Sequence, residues 1–498
     1  MTQRGRDRRL SAQDASFLYF EKKESPLHIG SIAVLEGQVD YERFVENIQS
    51  KINLIPRYQQ IVMPAPFNIG HPTWEWDPDF DVRRHIHHVQ MPAPGTDAQL
   101  YELGAELFAP MLDRSKPLWD MYLISGLEGD RSALLTKVHH CLVDGVSGIE
   151  LLMLVMDVSP TPIPPAQTPE LEKDEAPPVL ERFFDAILDN ISSDVDSLAS
   201  RGQRMVADVG GAGNTRAMLH ALETALPYVQ VPVVRAPFNK PLSQGRKVAF
   251  SDYSFAEIRQ IRQAAGGTVN DVVLTVLGGG MAKYLEMHGQ TTAGRTIRVL
   301  TPVNVRKDDE RGALGNRVSM LLIEVPVGVP DPLERLEMVR KRTEALKRRH
   351  VADGIEGMNT GVQPPPMLQA LMGSFPTPPN TLANMVCTNV PGPMIPLYTL
   401  GHRLQAHLPM IPLGWEMGIS LGVTSYDQKL YFGFMACAKA GGDVDRLRDF
   451  TEQAYVELRS AAGVEKSDLP RMGETPYVQP TPRPRAAPTA QAMAADAS

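Results

Sequence analysis

Hydrophobic and polar positions change their period several times along the chain, and each change marks an element. Over residues 1–158, LHIGSIAVLEG and SALLTKVHH read as strands and YERFVENIQSKI reads as a helix, so this stretch is mixed α/β. From Ser159 to Pro178, SPTPIPPAQTPELEKDEAPP carries many prolines and acids and few large apolar residues, which suits an extended, semi-rigid linker. Helical spacing resumes at Leu180, Phe183, Phe184, Ile187, Leu188 and Ile191, then breaks at the flexible run Gly210–Asn214. A second α/β pattern follows. RKVAFSDYSF, TIRVLTPVNVR and KLYFGFMACA predict strands, whereas FAEIRQIRQAA, VNDVVLTVLGGGMAKYLEMH and DPLERLEMVRKRTEALKRR predict helices.

The domain plan is an N-terminal α/β unit at 1–158, a Pro-rich linker and helical connector at 159–234, a second unit at 235–465, and a tail at 466–498. The tail is rich in Pro and Ala and is expected to be disordered. A length of 498 residues fits two large units plus connecting material.

Composition narrows the function. With 43% hydrophobic and 22% charged residues and no run of 18 or more apolar residues, a membrane-spanning helix is not expected. The basic opening MTQRGRDRRLSAQD lacks a following apolar region, so a secretory signal is not expected and the protein is placed in the cytoplasm. A net charge of -8 gives no global attraction for nucleic acid. The cysteines Cys141, Cys387 and Cys437 show no CxxC spacing, which argues against a thiolate metal site and leaves buried free thiols as the expectation. His28, His85, His87 and His88 match no metal-binding spacing either.

The most informative stretch is ALLTKVHHCLVDGVSGIELL. An apolar strand delivers His139 and His140, Asp144 and Gly145 suit a tight turn, and a helix is expected from Val146. Successive strand residues point to opposite faces, so one histidine serves a cavity and the other packs. A neutral imidazole, with an ordinary pKa near about 6.5, is a suitable base for acyl transfer to a hydroxyl. It takes the alcohol proton during attack on a thioester and returns it to the departing thiol, so neither an acyl-enzyme nor a metal is required.

HHCLVDG resembles the HHxxxDG signature of the coenzyme A-dependent acyltransferase superfamily. LSAQDASFLYFE with PLHIGS, PTWEWDPDFDVRRHIHHVQMPAPG, PLWDMYLI, VNDVVLTVLGGGM, PVNVR, GNRVS and TNVPGP, in that order, resemble the bacterial wax ester synthase/diacylglycerol acyltransferase family over nearly the whole chain. The resemblance implies two chloramphenicol-acetyltransferase-like α/β domains, each a mixed sheet flanked by helices, with the active-site channel between them. It implies transfer of a long-chain acyl group from acyl-CoA to diacylglycerol or a long-chain alcohol, with acyl-CoA as substrate and no cofactor. Contact with a membrane or lipid-droplet surface would then be peripheral.

By the same resemblance, His140 is the base, and Asp144 holds the turn through a buried ion pair with Arg306 or, second, Arg57; that Asp144 only caps the turn is an equal alternative. Asn270 is a candidate oxyanion donor, with a helix N-cap as its equal alternative, and Asp271 favours the helix dipole. NVPGP at 389–393 reads as a rigid turn, and Trp119 as core. LGWEMGIS is the nearest stretch to the DFGWG-type motif of condensation domains. The basic end of the helix from Asp331 to His350 reads first as a solvated face and second as a nucleotide or headgroup steering surface. MLVMDV and PPPMLQALMG read as core packing or adaptable apolar lining.

Overall fold

The computed structural model describes residues 8–142, 155–161, 171, 233–304, 318–348, 366–375, 382–469 and 471. The first sheet is built from β1 (His28–Glu36), β4 (Ile86–Gln90), β5 (Trp119–Leu127), β6 (Arg131–His139), β11 (Tyr398–Thr399) and β12 (His402–Met410), in the order β11-β12-β1-β6-β5-β4. The second contains β7 (Arg246–Ser254), β8 (Thr296–Asn304), β9 (Val318–Pro326), β10 (Met385–Val390), β13 (Ile419–Tyr426) and β14 (Lys429–Cys437), in the order β7-β14-β13-β10-β8-β9. Strands β2 (Gln60–Met63) and β3 (Thr73–Trp76) form a separate antiparallel pair. Both large sheets are mixed: β4 runs parallel to β5, and β10 runs parallel to both β8 and β13. The expected α/β architecture with two sheet-bearing lobes is therefore present.

The elements follow local chemistry. Helix α1 (Ala12–Phe20) starts where the Ser11 hydroxyl accepts the amide of Asp14. Helix α2 (Tyr41–Lys51) is capped by Asp40 and buries Phe44, Val45 and Ile48. Helix α3 (Asp97–Phe108) has a capping box between Thr96 and Gln99. In the second lobe, α4 (Phe255–Ala265) ends at Gly266, whose φ of 81° closes the helix without a Cβ clash. Helices α5 (Val269–Met287), α6 (Pro332–Arg348), α7 (Pro366–Ser374) and α8 (Val444–Ala461) follow. Helix α5 is largely buried, and its Gly279 and Gly280 let α8 approach closely.

One feature is invisible to periodicity. Residues 398–410, far down the second half, cross back and extend the first sheet. β12 lies antiparallel to β1, with Gly30 opposite Met410 and Ile32 opposite Leu408. Its other side is packed by the second sheet: Cβ atoms at Gly422 and Gly433 would press into Pro409. The core of the first lobe accordingly includes Leu404, Leu408, Met410, Phe250, Tyr431 and Met435. Beyond α8, Ser467 donates its amide to Glu257 (2.6 Å), and Arg471 pairs with Glu452 (2.9 Å), so the first described residues of the expected tail are docked.

Candidate active site

Strand β6 ends at His139, and His140 opens a short 3-10 turn, His140–Leu142. The strand is placed by its neighbours: His28 lies opposite His139 on β1, and Trp119 opposite Val138 on β5. Trp119 is fully buried and its indole donates to the Tyr58 carbonyl at 2.8 Å, a core residue as its sequence context indicated.

The two histidines have different surroundings. His139 is fully buried. Its Nδ1 accepts the Cys141 amide at 3.2 Å, and its Nε2 lies 3.4 Å from Glu21 Oε1. Glu21 also accepts the Leu27 amide at 2.9 Å and Arg114 Nη2 at 2.9 Å. Burial alone would raise this carboxyl, but His139, Arg114 and the Leu27 amide outweigh burial and bring its pKa to about 2. The Leu27 carbonyl in turn accepts the His140 amide at 2.8 Å. The Glu21 carboxylate thus ties α1, the start of β1 and the histidine pair together.

His140 keeps part of its surface open. Its ring stacks on Phe17 of α1, with centroids 4.1 Å apart and planes 12° from parallel. Nδ1 is buried and has no hydrogen-bond partner among the described residues. Burial lowers its pKa to about 4, so the free protein holds a neutral imidazole at neutral pH. The neighbouring Cys141 thiol is pushed well up by burial and is not a thiolate nucleophile.

Several positions along β1 and β6 are half-exposed. Ile29 and Ser31 on β1 and Thr136 on β6 share one face and interrupt otherwise buried strands, and the Ser31 and Thr136 hydroxyls are 3.2 Å apart. Pro409, opposite Ser31, shares that face, which is the one turned to the second sheet. On β12 the half-exposed Gln405, His407 and Pro409 alternate with buried neighbours. Across the second sheet, Leu300, Val386 and Thr388 are likewise half-exposed.

The helix-start candidates separate cleanly. Thr268, not Asn270, is the N-cap of α5, which removes the capping alternative for Asn270. Asn270 sits in the first turn with Oδ1 buried and unbonded among the described residues. The Asp271 carboxylate is engaged by the Thr268 amide (2.7 Å), the Thr268 hydroxyl (2.8 Å) and the Thr343 hydroxyl (2.7 Å). As an acceptor engaged by these three donors, it fixes the turn that carries Asn270. Asp144, Gly145, Arg306 and the helix expected from Val146 lie outside the described residues, and Arg57 stacks over the Trp74 ring at 4.7 Å.

Other candidates are structural. His28 Nε2 donates to the Phe108 carbonyl at 2.6 Å, and His85 Nδ1 donates to the Trp119 carbonyl at 2.8 Å while stacking on that indole. On α6, Arg340 and Lys341 pair with Glu337, and Arg342 donates to the Glu324 carbonyl, which favours the solvated-face reading there. The NVPGP turn is pinned by Ser425, whose hydroxyl accepts from and donates to Gly392. Phe17, Glu21 and Arg114 were not singled out from sequence. The signal available for the first two was the capped helix start Ser11-x-x-Asp14, which makes LSAQDASFLYFE an element as well as a family signature.

Two mixed sheets in this arrangement are the fold of condensation domains. The first condensation domain of the calcium-dependent antibiotic synthetase has this fold, with a TM-score of 0.55 at 16% identity, covering 91% of this chain and 95% of that one. Within the class, the family model described as wax ester synthase/diacylglycerol acyltransferase catalytic domain matches residues 10–273, and that for the WS/DGAT C-terminal domain matches residues 314–459. The chain belongs to the wax ester synthase/diacylglycerol acyltransferase family. A Mycobacterium tuberculosis protein named a probable diacylglycerol O-acyltransferase is 30% identical over 460 residues, which is 90% of this chain and 95% of the relative. The O-acyltransferase WSD of Acinetobacter baylyi is 28% identical, over 91% of this chain and 96% of its own length. The solved wax ester synthase/diacylglycerol acyltransferase of Marinobacter aquaeolei VT8 shares the fold at a TM-score of 0.62 and 23% identity, covering 92% of this chain and all of that one.

Proposed function

We propose that this O-acyltransferase moves a long-chain acyl group from acyl-CoA to diacylglycerol or a long-chain alcohol, with His140 as general base. The observation that carries the assignment is the half-buried His140 at the end of β6, its ring stacked on Phe17 and its amide held by the Leu27 carbonyl. The acceptor hydroxyl gives its proton to the imidazole as its oxygen bonds to the thioester carbonyl carbon. The tetrahedral oxyanion then collapses, the C–S bond breaks, and the thiolate of coenzyme A takes the proton back, leaving ester and free thiol. Burial holds the ring well below the ordinary histidine value, at about 4. The negative charge developing on the intermediate favours the imidazolium and raises that value when the proton must be held.

Asn270, with its side-chain oxygen unbonded among the described residues, is the proposed donor to the oxyanion through its amide nitrogen. Asp144, Gly145 and Arg306 lie outside the described residues, and an ion pair between Asp144 and Arg306 is proposed to support His140. The cycle closes on acyl-CoA and alcohol alone, with no cofactor. Among the described residues no helix is long and apolar enough to cross a membrane. The proposed setting is the cytoplasm, with the enzyme meeting a membrane or lipid-droplet surface from one side.

Thiol release from palmitoyl-CoA, assayed with diolein and with hexadecanol, tests the reaction. The intact chain is expected to release thiol with at least one acceptor, and a His140→Ala variant of unchanged melting temperature is expected to release none above background. Release by that variant at the parent rate would remove His140 from the role, and a requirement for a carrier-bound donor would remove acyl-CoA.

A further inference from the structure

Helix α7 is built inside out. A helix lying on a protein core turns its apolar stripe inward, yet α7 buries the polar Gln369 and presents Gly373 to the Tyr19 backbone of α1. The side chains of Met367, Leu368, Leu371, Met372 and, just past the helix, Phe375 are 45 to 65% exposed, and they recur at the spacing of a single helical face. Phe67, 82% exposed, sits on the 3-10 turn against which α7 packs. Single exposed apolar residues are ordinary; a continuous stripe beside an aromatic is not.

The border of this stripe is cationic and aromatic. Lys22 donates to the Phe375 carbonyl at 2.6 Å, and the exposed Lys23 follows it. The same loop reaches the 413–415 turn, where Ser25 donates to the Leu413 carbonyl at 2.5 Å, and Trp415 stands 50% exposed. Aliphatic side chains in the middle, an indole at the edge and lysines at the rim are the arrangement by which a protein rests in the headgroup boundary of an anionic lipid surface.

We propose that α7, with Phe67, Trp415 and the Lys22–Lys23 pair, is the face through which this enzyme docks on an anionic lipid surface. The inference rests on the reading that both substrates carry long chains, and it deepens that reading by naming the surface. Helix α7 packs on α1, and α1 carries the Phe17 ring stacked on His140, so the docked face adjoins the reacting histidine through a single helix. A lipid substrate leaving the bilayer there has a short route to the site.

Vesicle flotation of the full chain provides the test, with phosphatidylcholine vesicles with and without phosphatidylglycerol. The parent is expected to float with the anionic vesicles. A Met367→Gln/Leu371→Gln/Phe375→Gln variant is expected to lose binding on the order of a hundredfold, with an unchanged melting temperature and unchanged thiol release from octanoyl-CoA and octanol. Lys22→Glu/Lys23→Glu is expected to lose only the preference for anionic vesicles. Equal flotation of parent and triple variant overturns the proposal, as does a parent that floats with neither vesicle. Parent dimers in light scattering that the triple variant abolishes, without vesicle binding, assign the face to a second copy and also overturn it. Flotation needs no turnover. A parent that floats but releases no thiol from any acyl-CoA therefore defeats the acyltransferase reading while the docking face stands.

Discussion

Single side chains decide whether His140 can act. The His140→Ala loss expected above corresponds to roughly 10²- to 10⁴-fold, the usual worth of a positioned base. Because burial holds the ring neutral down to about 4, kcat/KM should stay flat from pH 7.5 to 5.5, measured at saturating acceptor. An unperturbed imidazole would lose about tenfold over that interval. Under the proposed mechanism Glu21 acts as a positioning residue. Glu21→Gln keeps the shape and removes the charge that faces His139 and Arg114, so kcat should fall about tenfold while KM for acyl-CoA changes little. A parent-like kcat would show that the carboxylate merely fills space. Its contribution to stability has a defined sign: the folded pKa of about 2 lies below the unfolded value near about 4.5. The stabilisation is complete above pH 4.5 and disappears as pH falls toward 2.

Helix α5 carries the clearest prediction among the elements. A Cβ at Gly280 would lie 2.7 Å from Cα and 2.8 Å from N of Thr451 on α8, main-chain atoms that cannot rotate away. Gly280→Ala should therefore destabilise by about 1 to 3 kcal/mol in urea unfolding, despite the better helix propensity of alanine. Much of this level was legible in the sequence, because strands such as SALLTKVHH and helices such as VNDVVLTVLGGGMAKYLEM announce their period and carry their own caps. What was not legible was partnership. HRLQAHLPM alternates like any half-buried strand, and alternation assigns faces, not neighbours, so nothing in it points to β1 nearly 400 residues earlier. The clasp of Glu21 on His139 and the Phe17 stack depend on the same long-range docking, whereas His140 announced itself through its immediate sequence context. Helix α7 shows the opposite limit: PPPMLQALMG was read as core or lining because apolar residues usually face inward, and here they face out.

For the whole molecule, acid is the weak side. His28, His71, His85, His140 and His407 all have pKa values lowered by burial, the last four to about 4. The unfolded chain takes up protons on these rings from about pH 6.5, so the stability they permit is complete above that value and erodes as pH falls toward 4. The melting temperature should drop by roughly several degrees between pH 7.5 and 5, and a flat profile would contradict the buried neutral rings. The two lobes should also melt together, since the core of the first includes Phe250, Tyr431 and Met435 from the second. Far-ultraviolet circular dichroism should coincide with tryptophan emission, which reports mainly on Trp74, Trp76 and Trp119 in the first lobe, and separated midpoints would disprove the coupling. The strand that crosses from one half into the other sheet has a last implication for turnover. A clam-like yawn between the halves would have to unzip the ladder joining Gly30 to Met410 and its successors. Any widening between the sheets must therefore come from the loops around them, because parting the sheets themselves would cost the hydrogen bonds of that ladder.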